Sequence, residues 1–189
     1  FFPVALGRAA TADEVAEHRA LWKKTLAPVL DHPPVFVHRD YHAQNLLWLP
    51  ERSGHARVGI IDFQDAVAGT TSYDLISLVE DARRDVDPAL AEAMTNRYLT
   101  AMKAQGTPLD EQEFRAQAAT IATQRNAKIA GIFARLYKRD NKPRYLDYLP
   151  RVWGYLNKDL EHPAMRELKA WYDKRIPQTA RGKLEGVSV

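Results

Sequence analysis

Two segments constrain what this chain can fold into more than the rest of it. His38-Arg39-Asp40-Tyr41-His42-Ala43-Gln44-Asn45 has the form H-x-D-x-x-x-x-N, and Ile60-Ile61-Asp62-Phe63 follows it as the end of an apolar run. Phosphoryl transfer needs a carboxylate to position the attacking hydroxyl. It also needs a carboxylate and an amide oxygen to hold Mg²⁺. The known arrangement takes these from a loop Asp, an Asn five residues later and an Asp at the end of a following strand. All three occur here in that order, with Asp40 as the candidate base and Asn45 and Asp62 as candidate metal ligands.

The flanking pattern gives these residues a frame. Val35-Phe36-Val37 reads as a short buried strand leading into the motif. Asn45–Leu49 and Val58–Phe63 read as a β-hairpin joined through Pro50-Glu51-Arg52-Ser53-Gly54. Asp40 then precedes the hairpin and Asp62 stands at its exit. Asn is a poor strand former, so Asn45 at the start of an apolar run points to a role for its side-chain oxygen; hard cations take oxygen ligands. The alternative is a turn-forming Asn.

The remainder reads as helix. Thr11 with Glu14 three residues on is a capping-box pair. It opens a helix over residues 11–31 whose approximate apolar face is Val15, Leu21, Trp22, Leu26, Val29 and Leu30. Further helices are expected over 73–84, 88–105, 110–137, 141–160 and 163–175. Pro88 and Pro163 are well placed for the first turns of theirs. The expected architecture is mostly α with a small β-hairpin: one helical lobe over residues 1–176 and a loose tail over 177–189.

Several further residues carry two readings each. His38 adjoins the loop and is expected to brace its backbone. His42 and Gln44 either line an acceptor site or are solvated loop residues. Asp65 either supports Asp62 or caps a turn. Asp74 either accepts hydrogen bonds from the loop backbone or is a helix N-terminal carboxylate favoured by the dipole. Arg125 falls within the apolar stripe Phe114, Ala118, Ile121, Ile129, Ile132 and Leu136. A buried guanidinium must be paired, so Arg125 either meets a structural carboxylate such as Asp74 or faces the cleft.

Composition narrows the classes. The 189 residues carry a net charge of only +3, and Lys and Arg are scattered without the basic, aromatic-interleaved stripe of a nucleic-acid module. No apolar run approaches the roughly 20 residues of a membrane span. The absence of cysteine excludes disulfides and thiolate chemistry and fits a cytoplasmic setting. The 37 residues before His38 read as helix, and no G-x-G occurs, so the phosphate-cradling glycine loop of a kinase is not found here.

The run from Val37 to Ser77 resembles the aminoglycoside phosphotransferase and choline kinase-like family, which shares the protein-kinase fold. Phe63-Gln64-Asp65-Ala66, Tyr73-Asp74-Leu75-Ile76-Ser77-Leu78, Asp81-Ala82-Arg83 and Gln124-Arg125-Asn126 are similar to the bacterial N-acetylmuramate/N-acetylglucosamine kinases. So are Gly131–Leu136 and Lys142–Tyr145. The resemblance implies the C-terminal lobe of that fold, with a nucleotide-binding N-lobe expected in a parent protein. It implies ATP and Mg²⁺ as cofactors, Asp40 as base, Asn45 and Asp62 on the metal, and an N-acetylated amino sugar of cell-wall recycling as acceptor. Two alternatives stand beside it: an aminoglycoside kinase, whose acceptor site should be rich in carboxylates, and a non-catalytic lobe that binds a ligand or partner.

Overall fold

The computed structural model describes residues 1–182. The chain divides into two compact units, Phe1–Val29 with the chain from Ala119 onward, and Leu30–Ala118. The described residues form seven α-helices and four three-residue strands. No described helix is long and apolar enough to cross a membrane.

The first unit is helical. A short α1 (Phe2–Ala5) precedes α2 (Ala12–Leu30). The capping box at the start of α2 forms as expected: the Glu14 amide donates to Thr11 Oγ1 at 3.2 Å, and the Thr11 amide donates to Glu14 Oε2 at 2.8 Å. Most of α5 (Glu111–Asp140) lies in this unit, followed by α6 (Leu149–Leu160) and α7 (Arg166–Arg175). Leu149, Val152, Leu156, Leu160, Met165 and Leu168 are fully buried where α6 and α7 pack.

Some expected helix bounds shift, each for a local reason. The 141–160 helix becomes a 3-10 stretch, Pro143–Tyr148, and then α6, because Pro150 fits only a first helical turn. The 163–175 helix likewise starts as a 3-10 turn, Pro163–Met165. Of the expected loose tail, residues 183–189 lie outside the described residues. Over 177–182 the chain forms a 3-10 turn, Gln178–Ala180, with Ala180 buried, and Arg181 donates to the Ile176 carbonyl and to Asn157 Oδ1.

The second unit holds all four strands: β1 (Val35–Val37), β2 (Leu46–Trp48), β3 (Val58–Ile60) and β4 (Val67–Gly69). The expected hairpin is β2–β3, with Leu46 opposite Ile60 and Trp48 opposite Val58. The sequence reading missed β4, which pairs antiparallel with β1, Val35 opposite Gly69 and Val37 opposite Val67. The pairing is nested: β1 and β4 form the outer ladder, β2 and β3 the inner one. Both arms leave the ladder between the two sheets, and those two crossing segments, residues 38–45 and 61–66, contain the motif residues. Gly69 permits the outer pairing, since a Cβ there would sit 3.0 Å from Val37 Cγ2. Val37 is buried, but Phe36 is 71% exposed, so β1 is only partly the buried strand expected.

Helix α3 (Tyr73–Val79) follows β4 and packs on α4 (Pro88–Ala104). It ends before the expected Arg84 because Asp81 Oδ1 accepts the Arg83 amide at 2.9 Å, a turn bond that competes with helical pairing.

Candidate active site

Residues 38–45 are held from two sides. At the first turn of α3, the Asp74 carboxylate accepts the backbone amides of His38 (2.7 Å) and Arg39 (3.0 Å). Ser77, one turn further along α3, donates its hydroxyl to the Arg39 carbonyl at 3.3 Å. Asp74 therefore contacts the loop backbone, the first of its two readings. Ser77 was not foreseen, although its i+3 spacing from Asp74 places both on one helix face.

His38 ties the two crossing segments together. Its Nε2 lies 2.9 Å from the Ile61 carbonyl oxygen, which can only accept, so Nε2 carries the proton. Its ring is buried and meets Tyr41 edge-on. Nδ1 is left buried without a partner among the described residues. The expected bracing was of the 38–45 backbone; the bond seen runs to Ile61 in the 61–66 segment. Burial, then the charge of Asp74, pushes the Tyr41 phenol above its ordinary pKa.

The ladder of β2–β3 is extended by the Ile61 amide donating to the Asn45 carbonyl at 3.1 Å. That register sets Asn45 beside Asp62. Asn45 ends a 3-10 turn (Ala43–Asn45) and is 9% exposed. Its amide faces two acceptors, the Asp40 carbonyl at 2.9 Å and Asp62 Oδ2 at 3.4 Å, so the nitrogen must be on that side. Asn45 Oδ1 remains without a hydrogen bond among the described residues. Asp62 Oδ1 accepts from Gln64 Nε2 at 2.7 Å. Gln64 was not foreseen as a site residue; its place two residues after Asp62 was the available signal.

Two backbone outliers bracket this arrangement. Arg39 has φ +74° and Asp62 has φ +68°, the left-handed region that non-glycine residues rarely occupy. Such residues cost about 1–3 kcal/mol each and persist where their surroundings over-determine them. Here the Arg39 amide and carbonyl are both bonded to α3, and its guanidinium donates to the Asp65 carbonyl at 3.1 Å.

The donor set fits a hard cation. A free amide oxygen on Asn45 next to the Asp62 carboxylate is an oxygen pair, and Mg²⁺ takes few protein ligands, completing its shell with phosphate and water. No group of three His, Cys, Asp or Glu side chains able to hold a metal occurs among the described residues. Asp40 is exposed, its carboxylate has no hydrogen bond among the described residues, and its backbone carbonyl accepts from Asn45 and from the His42 amide.

The remaining candidates sort as follows. His42 is half-buried and Gln44 exposed within the same loop. Asp65 contributes its carbonyl, to Arg39, in a turn closed by the Ala66 amide on the Phe63 carbonyl; its carboxylate makes no bond to Asp62. Arg125 is buried on α5, in the first unit.

The comparisons agree with the motif. Residues 3–109 match the phosphotransferase enzyme family. The chain is 46% identical over 170 residues to the N-acetylmuramate/N-acetylglucosamine kinase of Caulobacter vibrioides, covering 90% of this chain and 46% of that protein. It is 39% identical over 148 residues to the protein of that name in Neisseria meningitidis, covering 75% of this chain and 43% of the relative. For the Pseudomonas putida protein of the same name the values are 34% over 157 residues, 79% and 45%. The chain spans about half the length of the curated relatives it matches. With the 38–45 loop and Asp62 inside the matched region, the chain belongs to the phosphotransferase enzyme family.

Proposed function

We propose that this chain carries the acceptor and metal side of an ATP- and Mg²⁺-dependent kinase that phosphorylates a hydroxyl of an N-acetylated amino sugar, in the cytoplasmic recycling of cell-wall sugars. The observation that carries the reading is the Asn45 amide, which bonds to the Asp40 carbonyl and points to Asp62 Oδ2. One side chain thus links the residue that would orient the acceptor to the residue that would hold the metal. The relatives' printed names support the choice of sugar.

In this reading the exposed Asp40 carboxylate accepts a hydrogen bond from the sugar hydroxyl, aims its oxygen, and takes the proton late in a loose transition state. Asn45 Oδ1 and Asp62 would hold Mg²⁺, and Gln64 keeps the Asp62 carboxylate turned. When bound, Mg²⁺ neutralises charge on the phosphate oxygens. Asp74, Ser77 and His38 fix the loop so that Asp40 needs no rearrangement before transfer, which is where positioning lowers a barrier.

The test has two parts. Saturation-transfer NMR on this chain should show N-acetylglucosamine or N-acetylmuramate binding in preference to kanamycin and choline. ATP-dependent transfer by the protein containing this chain should fall by about 10²–10⁴ in Asp40→Asn with the fold intact. Selective binding of kanamycin would replace the sugar by an aminoglycoside. Undiminished turnover in Asp40→Asn would remove the assignment of the base.

A further inference from the structure

The first unit contains a cavity of about 530 Å³, within the range of small-molecule sites. Its lining comes entirely from that unit and includes none of the phosphoryl-transfer set. The walls are chiefly aromatic and aliphatic, with Trp22, Trp153, Trp171, Tyr172, Leu26 and Leu156 among them. Gly131 also lines it, in the interior of α5, and a Cβ added there would meet nothing within 4 Å. Glycine inside a helix costs about 1 kcal/mol relative to alanine, and it is commonly kept where another backbone comes close. Nothing comes close here; the missing side chain leaves open space.

Several of the polar groups that line the cavity are N–H donors. Trp22 Nε1 can only donate, and it donates to His18 Nε2 at 2.8 Å. In the neutral ring the His18 proton is therefore on Nδ1, which has no partner among the described residues. Burial lowers the His18 pKa, which favours that neutral form. Trp153 Nε1 is buried without a partner among the described residues. Arg19, a solvent-exposed residue, also lines the cavity, and its guanidinium has no hydrogen bond or ion pair among the described residues. The one carboxylate in the lining, Glu14, is already engaged by both terminal nitrogens of Arg8 at 2.8 Å and by the Thr11 amide.

Apolar aromatic walls, unpartnered N–H donors and an unpaired guanidinium together specify a ligand. We propose that this cavity binds a small aromatic carboxylate, its ring stacked among the tryptophans and its carboxylate on Arg19 and the free N–H groups. An amine of the same shape would be repelled by the Arg19 guanidinium and would leave the Trp153 N–H without an acceptor.

The test uses 3-phenylpropionate, with 3-phenylpropylamine and propionate as controls, titrated against the chain's tryptophan fluorescence and by calorimetry. The acid should bind saturably and at least about tenfold more tightly than the amine or propionate. Gly131→Leu fills open space and raises helix propensity, so it should fold normally, shown by circular dichroism, and weaken the acid by about tenfold or more. Arg19→Gln should weaken the acid about tenfold and leave the amine unchanged. No saturable signal at millimolar acid, equal affinity for the amine, or undiminished binding in a folded Gly131→Leu would each overturn the proposal.

Discussion

The two units hold together by different physics. In the first, α6 and α7 bury Leu149, Val152, Leu156, Leu160, Met165 and Leu168 completely. In the second, the strands are three residues long, and Phe36, Trp48 and Phe63 are 71%, 65% and 61% exposed. What fixes the motif segments there is a set of directional bonds from Asp74, Ser77, His38 and Asn45. Burial is non-directional and large in sum. Hydrogen bonds are each worth only about 0.5–1.5 kcal/mol net, but they set positions and are costly to leave unmade. The comparison teaches that bulk stability and site geometry have been assigned to different regions of one chain.

The largest expected effect falls on the apolar core. Leu168→Ala removes a fully buried side chain from α7 and should cost about 2–5 kcal/mol in urea unfolding. The amides of His38 and Arg39 should keep their native-state protection relative to the rest of the second unit. A loss below about 1 kcal/mol would mean that the first unit's core is not the dominant one.

Asp74→Ala attacks the other kind of support. It strands two backbone amides and should cost about 1–3 kcal/mol, with the greatest acceleration of hydrogen exchange at His38 and Arg39. Asp74→Asn keeps one acceptor oxygen and should lie between the two. Unchanged protection of those amides in Asp74→Ala would show that something other than α3 holds the loop.

A pH-confined effect should arise in the first unit. The bonds from Arg8, then the Thr11 amide, then the charge of Arg175, hold Glu14 down to about 2 from an ordinary 4.5. A carboxyl with a depressed folded pKa stabilises the fold above its unfolded value, and that stabilisation is lost as pH falls through the folded one. Unfolding scans between about pH 4.5 and 2 should therefore show stability falling, with a shallower fall in Glu14→Gln. Equal slopes in the two proteins would place the acid sensitivity elsewhere.

What was legible in the sequence was what acts over short range. The capping box of Thr11 and Glu14 spans four residues, and the hairpin β2–β3 closes over the nine residues 49–57, so both could be read directly. Asp40, Asn45 and Asp62 could be picked out as candidates because the spacing of the motif is itself local, and the hairpin register sets Asn45 beside Asp62. The strand β4 could not, because three residues, Val67–Gly69, carry almost no periodicity and their partner β1 lies about thirty residues upstream. The end of α3 turned on a single side-chain bond at Asp81, and the 3-10 entrances to α6 and α7 on prolines whose exact position in a first turn the pattern did not fix. Gln64 and Ser77 act through neighbours that only the folded loop brings within reach.

The smallest expected effect gives the sharpest contrast, because it compares adjacent residues of β1. Side chains alternate across a strand, and here Val37 is 2% exposed while Phe36 is 71% exposed. Val37→Ala should cost roughly 1.5 kcal/mol from lost transfer alone, more if the contact with Gly69 does not close. Phe36→Ser should change stability by no more than about 0.5 kcal/mol, since the larger ring buries little. The bigger residue thus matters less than its smaller neighbour, which separates burial from hydrophobicity as the cause. If Phe36→Ser proves as costly as Val37→Ala in the same urea titration, the outer face of β1 is covered in solution, and the second unit has apolar support that the contrast between the units denies it.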